Sequence, residues 1–195
     1  MRIGIDIDGV LNNLEAFQRE LGTRFCFERN IPFRFYPDEY KIRNMFQWDR
    51  TIEKQFYEAY YALFLTTSRF LRHDAVEVLP LLHKKHTLFL ITARIEDDVP
   101  GFMEQSMSEI TQNWLVKNNL CFDKLLFSPP DKRAIMEEYH LDLMIEDNPY
   151  LLAKASCCNI PFLCFNAAYN QIILPPNVTR IYSWYEILIH LKITE

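Results

Sequence analysis

The chain has 195 residues, of which 49% are hydrophobic and 14% aromatic, and its formal net charge is −5. This length fits one domain, or one core domain with an inserted subdomain, and the apolar content suffices for a buried core. The negative charge and the lack of a basic cluster argue against a nucleic-acid polymer as the main partner. No segment predicts a membrane span or a signal peptide, and five cysteines without metal-ligand spacing favour a reducing compartment. We therefore expect a soluble, cytoplasmic protein.

The first 72 residues predict one strand followed by helices. Residues 2–7 form an apolar strand, and residues 12–30 carry apolar side chains at helical spacing. Pro37 followed by two acidic residues predicts a second helix start, and Asp49 is a candidate N-cap for a third helix. Most aromatic residues in this stretch are interpreted as the core of a small helical subdomain. We therefore predict that residues 12–72 are a helical cap.

From residue 73 onwards, helices and strands alternate. The predicted strands cover residues 87–92, 124–127, 141–145 and 160–165, and the predicted helices cover residues 74–85, 103–118, 131 onwards, 150–157 and 183–191. Alternation of this kind implies right-handed crossovers and a parallel sheet with helices on both faces. The fold expected is α/β, with a Rossmann-like core formed by residues 1–11 and 73–195.

Two carboxylates, Asp6 and Asp8, stand where the first strand runs into Gly9. Side chains two residues apart in a strand point to the same side, so these charges should emerge together. Like charges at this distance repel unless a cation lies between them or one of them is protonated. An Asx-type turn would explain Gly9 and Asp8, but it would not explain a charge at Asp6 in an apolar strand. The pattern therefore favours a site for a hard divalent cation such as Mg²⁺.

Other polar residues follow the later strands, at the sheet edge where ligands bind in open α/β folds. Chemically, Asp6 could attack phosphorus, Asp8 could serve as acid and base, and Thr92 could hydrogen-bond the phosphoryl group. Lys132 could neutralise the shared negative charge. The remaining candidates are metal ligands and substrate contacts. The metal ligands would be Asp6, the backbone carbonyl of Asp8, and Asp147, with Glu146 orienting the site indirectly, and the substrate contacts would be Ala93 and Arg94.

Several of these residues also have ordinary structural interpretations. Lys132 alone could be a solvated lysine at a helix start, and Thr92 could be a strand residue or a helix cap. Arg94 could pair with Glu96 or Asp97 at the surface. Aromatic residues of the cap could stack on a nucleobase, although core packing explains each of them as well. The aromatic candidates are Phe17, Phe46, Trp48 and Tyr61.

Four ordered segments resemble the motifs of the haloacid dehalogenase superfamily of phosphohydrolases. They are residues 6–10 (DIDGV), residues 91–94 (ITAR), Lys132, and residues 145–148 (IEDN). The insert between the first two segments looks like the cap placement called C1. Within the superfamily, the ITAR and IEDNP segments resemble the 5′(3′)-deoxyribonucleotidase-like branch of small bacterial nucleotidases.

This resemblance implies a Mg²⁺-dependent phosphatase with an aspartyl-phosphate intermediate. Superfamily dehalogenases lack the second acid, so Asp8 favours phosphate substrates. The expected partner is a small phosphorylated metabolite, most plausibly a nucleoside monophosphate. Two alternatives remain: a phosphatase for sugar or polyol phosphates, and a regulatory protein that binds phosphate with little turnover.

Overall fold

The computed structural model describes residues 1–94 and 105–193. Six parallel strands form one sheet in the order β3-β2-β1-β4-β5-β6. The strands are β1 (Arg2–Ile5), β2 (Thr87–Thr92), β3 (Lys124–Phe127), β4 (Leu143–Glu146), β5 (Phe162–Phe165) and β6 (Val178–Ile181). This is the order of a Rossmann-type sheet, in which the direction of strand addition reverses between β1 and β4. The reversal leaves a crevice at the carboxyl ends of these two strands.

Eight α-helices connect the strands within the described residues. They are α1 (Leu14–Arg29), α2 (Ile42–Met45), α3 (Arg50–Thr66), α4 (His73–His83), α5 (Met107–Lys117), α6 (Arg133–Glu138), α7 (Pro149–Leu152) and α8 (Trp184–His190). Short 3-10 helices cover Ala155–Cys157 and Ala168–Asn170. Of the predicted helix over 103–118, the first two residues lie outside the described residues, and α5 begins at Met107.

The sheet is covered on both faces, as the alternating pattern predicts. On one face Ile3 and Ile5 pack in a hydrophobic cluster with residues of α4, α5 and α8. On the other face Phe89 and Ile91 pack with residues of α6 and α7. Burial of both faces explains why the central strands read as continuous apolar runs. The predicted fold class is confirmed.

Helices α1, α2 and α3 share a third hydrophobic cluster rich in aromatic rings. Phe17 lies 4.1 Å from Phe64 between ring centroids, and Phe46 stacks on Trp48 at 4.7 Å. The cluster also includes Met107 and Ile110 of α5, so the three helices pack against the α/β part of the chain. The aromatic side chains of this segment therefore serve mainly as packing residues.

The structure differs from the predicted elements in two places. The second helix begins at Ile42, because Pro37 and Asp38 occupy a turn in which the Glu39 N–H donates to the Tyr36 carbonyl over 3.2 Å. Pro and Asp are typical turn residues for this reason. The second difference is β6, which the sequence analysis did not predict. Its first and last residues are buried and the two between them are more exposed, in a short strand at the edge of the sheet.

Candidate active site

The loop after β1 brings the first motif into the crevice between β1 and β4. The Asp6 N–H donates to the Ile145 carbonyl over 3.0 Å, which fixes the chain where it leaves the sheet. Gly9 has φ +104°, and a Cβ there would lie 1.9 Å from Asp147 Oδ2. A glycine is thus needed both for the backbone conformation and for the close approach of Asp147.

Lys132 links the nucleophile candidate to the end of β4. Its Nζ donates to Asp6 Oδ1 and, over 2.8 Å, to Glu146 Oε2. The other oxygen of Glu146 accepts from the backbone N–H groups of Asp147 and Asn148 at 3.0 and 3.1 Å. Both oxygens of Glu146 are engaged, which agrees with an orienting role. The interpretation of Lys132 as a solvated lysine is wrong, since it is 3% exposed.

Asp147 is buried, and only one of its two carboxylate oxygens has a hydrogen-bond partner in the described part of the chain. The Tyr169 hydroxyl donates to Asp147 Oδ2, and Asn170 Nδ2 donates to the Asp147 backbone carbonyl over 2.9 Å. Asp147 Oδ1 is buried and has no hydrogen-bond partner among residues 1–94 and 105–193. A buried carboxylate oxygen without a partner is costly, so this atom points to a ligand.

The site has the donor set that Mg²⁺ prefers. Carboxylate oxygens of Asp6, Glu146 and Asp147 lie within 4.8 Å of one another, and Lys132 is the cation that contacts two of them. Three buried carboxylates thus face one ammonium group, and a divalent cation would balance the excess negative charge. The unpartnered Asp147 Oδ1 fits such an ion. The role of the Asp8 carbonyl as a ligand stays a prediction.

Burial and mutual repulsion shape the titration of these carboxylates. The pKa of Asp6 is raised to about 7, first by burial, with Lys132 opposing and with Glu146 and Asp8 adding repulsion. The pKa of Asp147 is raised well above its usual value, first by burial and then by the charges of Asp6 and Glu146. Both acids would be ionised more readily beside a bound cation.

Asp8 is held as an anion by two side chains. Arg94 donates from Nε and Nη2 to its two oxygens, over 2.8 and 2.7 Å, and Asn12 Nδ2 adds a bond of 2.7 Å. Burial acts to raise the pKa of Asp8, but the Arg94 guanidinium outweighs it and the pKa is lowered. Arg94 therefore pairs with Asp8; the alternative partners Glu96 and Asp97 lie outside the described residues.

Two cavities with shared walls lie over these groups. The smaller, about 150 Å³, is lined by Asp6, Asp8, Ala93, Arg94 and Lys132, among other residues. Thr92 is fully buried, and its hydroxyl accepts from the Arg94 N–H over 3.3 Å. The larger cavity, about 430 Å³, adjoins the first at Ala93. The structure thus brings the residues predicted from four strand ends to one place, while their catalytic roles stay predictions.

Of the four aromatic residues named as stacking candidates, one lines a cavity of the site. Phe17, Phe46 and Trp48 are at most 5% exposed and belong to the cluster of α1–α3. Tyr61 lines the smaller cavity, as expected of a ligand-facing ring, and Tyr40 lines both cavities. The pKa of Tyr40 is raised well above its usual value, first by burial and then by the carboxylates of the site.

Sequence analysis missed four residues that support the site. Tyr169 and Asn170 follow β5, whose carboxyl end lies at the same edge of the sheet, so inspection of that strand end could have found them. Asn12 binds Asp8, and its Oδ1 accepts from the Gly9 N–H over 3.0 Å. Arg72 donates to the Gly9 carbonyl over 3.2 Å. No pattern in the sequence indicated the last two contacts.

Comparisons with known proteins agree with this fold and site. No family model matches the chain. A relative in Bacillus subtilis (strain 168), the candidate nucleotidase YqfW, is 28% identical over 193 residues, covering 95% of this chain and 91% of the relative. The haloacid dehalogenase-like hydrolase SP0104 from Streptococcus pneumoniae is 16% identical, with a TM-score of 0.62 and 97% of each chain covered. The magnesium-bound haloacid dehalogenase-type hydrolase YfnB from B. subtilis is 14% identical, with a TM-score of 0.62 and 98% of each chain covered.

These similarities show that the chain has the fold of haloacid dehalogenase-type hydrolases. Its resemblance to the nucleotidase-like branch is confirmed by the nearly full-length match to YqfW. No helix in residues 1–94 and 105–193 is both long and apolar enough to cross a bilayer. The predicted cytoplasmic location stays a prediction.

Proposed function

We propose that the chain is a Mg²⁺-dependent phosphomonoesterase that hydrolyses deoxyribonucleoside or ribonucleoside monophosphates through an aspartyl-phosphate on Asp6. The observation that carries this proposal is a buried cluster of carboxylate oxygens that includes Asp6 and Asp147, with the ammonium group of Lys132 in contact with Asp6. A candidate nucleophile, a cation and candidate metal ligands lie next to one another in this cluster, which also argues against a purely regulatory, phosphate-binding role. YqfW, named as a candidate nucleotidase, supports the choice of nucleotides as substrates.

In the first step, a carboxylate oxygen of Asp6 attacks phosphorus, and the bond from phosphorus to the ester oxygen breaks. Asp8, an anion before the substrate binds, takes a proton from the phosphate of the bound ester and gives it to the departing oxygen; afterwards it takes a proton from the water that attacks the aspartyl-phosphate. The products are inorganic phosphate and the free alcohol. Asp6 and Asp147 would hold Mg²⁺, which when bound offsets the negative charge on the reacting oxygens.

Lys132 and Arg94 keep the two acids in position for these steps. Lys132 lies against Asp6, so its charge stabilises the anionic nucleophile and offsets negative charge that accumulates beside it. Arg94 and Asn12 fix the carboxylate of Asp8 next to the smaller cavity, where the phosphoryl group would bind. We further propose that residues 12–72 act as a cap, with Tyr40 and Tyr61 facing the substrate.

Phosphate release from nucleoside monophosphates, ribose 5-phosphate and glycerol phosphate, each with Mg²⁺ and with EDTA, tests the proposal. We expect EDTA-sensitive turnover that favours the nucleotides. Asp6→Asn should lower it at least a thousandfold, because the amide is a far weaker nucleophile. Glu138→Gln, an acid-to-amide change at an exposed position of α6, is the matched control. Preference for the smaller phosphates would refute the nucleotidase assignment, and residual activity of Asp6→Asn would refute the covalent step.

A further inference from the structure

The larger cavity is the space into which a bound phosphomonoester must extend. It shares Tyr40, Ala93, Pro130 and Asn148 with the smaller cavity, which contains the reacting carboxylates. With a volume of about 150 Å³, the smaller cavity suits a phosphoryl group, while about 430 Å³ is in the range of small-molecule sites. The part of the substrate that leaves with the ester oxygen would therefore lie in the larger cavity.

Two tyrosine rings form part of the wall of this larger cavity. Tyr40, on the loop before α2, and Tyr150, in α7, meet edge to face with centroids 5.8 Å apart and planes at 75°. Tyr40 also packs on Tyr169 at 5.1 Å, which holds it against the site. Tyr150 remains 57% exposed although it packs on Tyr40. An exposed ring on a cavity wall offers a planar group a surface on which to pack.

Two lysines also line the larger cavity, and they come from separate parts of the chain. Lys41 precedes α2, and Lys154 follows α7. Within the described residues neither forms an ion pair with a carboxylate. Asp131 lines the same cavity, but its two oxygens accept from Arg133 over 2.8 and 2.6 Å. The wall thus presents two available positive charges in a chain whose net charge is −5.

We propose that this cavity binds the leaving group, and that the leaving group carries both an aromatic ring and a second negatively charged group. The inference rests on the proposed function and narrows it: a nucleoside bisphosphate is preferred to a nucleoside monophosphate. The ring packs on Tyr150, and the second phosphate lies between Lys41 and Lys154. An anion there would gain hydrogen bonds to charged donors.

Three substrates with the same ester separate these contributions. Ribose 5-phosphate has no ring, adenosine 5′-monophosphate adds the ring, and adenosine 3′,5′-bisphosphate adds the second charge. We expect kcat/KM to rise in that order, with about tenfold between the last two. Base packing on an aromatic ring is worth about 5- to 150-fold per base. Salt at 0.5 M should reduce the advantage of the bisphosphate more than that of the ring, because exposed charges are screened.

Substitutions assign each contribution to its residue. Lys41→Gln and Lys154→Gln should each lower the ratio of kcat/KM for bisphosphate over monophosphate about threefold, and the double variant about tenfold. Tyr150→Leu should lower the ratio of monophosphate over ribose 5-phosphate about fivefold. The control is Lys85→Gln, an exposed lysine just before β2 and therefore at the opposite edge of the sheet. All four positions are exposed, so folding should be preserved.

Two results would overturn the inference. One is equal kcat/KM for the monophosphate and the bisphosphate; the other is a ratio that the lysine variants leave unchanged. Binding of both nucleotides to the Asp6→Asn variant, measured by calorimetry with Mg²⁺, gives the same comparison without turnover. Failure of the proposed function looks different, since neither nucleotide would then be hydrolysed while another phosphomonoester would be.

Discussion

At the scale of single residues, the site is organised by two buried cations, Lys132 and Arg94, each in contact with a carboxylate of the proposed mechanism. Lys132 contacts Asp6 and Glu146, and Arg94 contacts Asp8 through both oxygens of the carboxylate. Each contact holds an acid that the proposed mechanism needs. Removing one partner of a buried pair leaves an uncompensated charge, so these residues should be sensitive to substitution.

Arg94→Lys tests whether Arg94 acts through Asp8. Lysine keeps the charge but cannot form the two parallel bonds of a guanidinium, so Asp8 loses its fixed orientation. Hydrogen bonds to charged groups contribute about 1.5–3 kcal/mol, and we expect kcat to fall about 10- to 100-fold with little change in KM. Arg24→Lys, at an exposed pair with Glu28, is the control. A rise in KM at constant kcat would instead support the substrate contact expected from the sequence.

At the scale of elements, helix α1 approaches the aromatic cluster of the proposed cap at Gly22. A Cβ there would lie 2.4 Å from Cε2 of Phe46, which is 1% exposed. The close approach lets α1 pack directly on the ring. The helix is otherwise regular, beginning after Asn13, whose side chain accepts from the Ala16 N–H, and ending at Asn30 in the left-handed conformation.

Gly22→Ala should therefore destabilise the protein, although the same change usually stabilises a helix by about 1 kcal/mol. The added methyl group forces the Phe46 ring to move, and overpacking of a core costs about 1–3 kcal/mol. A loss of about 1 kcal/mol corresponds to about 2–4 °C in Tm for a chain of this size. Phe46→Leu in the same chain should reduce the penalty. A higher Tm for Gly22→Ala alone would contradict the close packing.

At the scale of the whole molecule, burial and mutual repulsion of the carboxylates in the candidate site make the stability of the fold depend on pH. The pKa of Asp6 is raised to about 7, and that of Asp147 is raised well above its usual value. Each of these acids has a pKa near 4 in the unfolded chain and a higher pKa in the folded protein. At a pH between the two values, the folded protein keeps a proton that the unfolded chain has released. In this window the free energy of unfolding falls as the pH rises.

Thermal unfolding in EDTA between pH 5 and pH 8 should show this loss, because each unit of pKa shift is worth about 1.4 kcal/mol. Mg²⁺ should restore much of the stability at pH 8, since a ligand that binds the folded state raises Tm. Asp147→Asn removes one of the repelling charges and a proposed ligand. We expect it to flatten the pH dependence in EDTA and to weaken the response to Mg²⁺. A pH-independent Tm in EDTA would refute the repulsion, and an unchanged Mg²⁺ response would refute the ligand role of Asp147.

The sequence by itself determined the parallel α/β fold and the residues that meet at its edge. Strand β2 was predicted with its observed bounds, because a buried parallel strand is a continuous apolar run. The side chains of Asp6, Arg94, Lys132 and Asp147 could be assembled because parallel strands place their carboxyl ends at one edge. These are consequences of local pattern and of topology, which a sequence carries directly.

The tertiary structure decided the partners. Arg94 binds Asp8 across 86 positions in sequence, and Tyr169 supports Asp147 from a short 3-10 helix that has no motif. Likewise, Phe46 and Trp48 pack in the cluster of α1–α3, while Tyr40 faces the site. The sequence composition around an aromatic residue does not distinguish a side chain in the core from one on a cavity wall. Which of the two they occupy depends on how separate elements pack, and that is fixed only when the chain is folded.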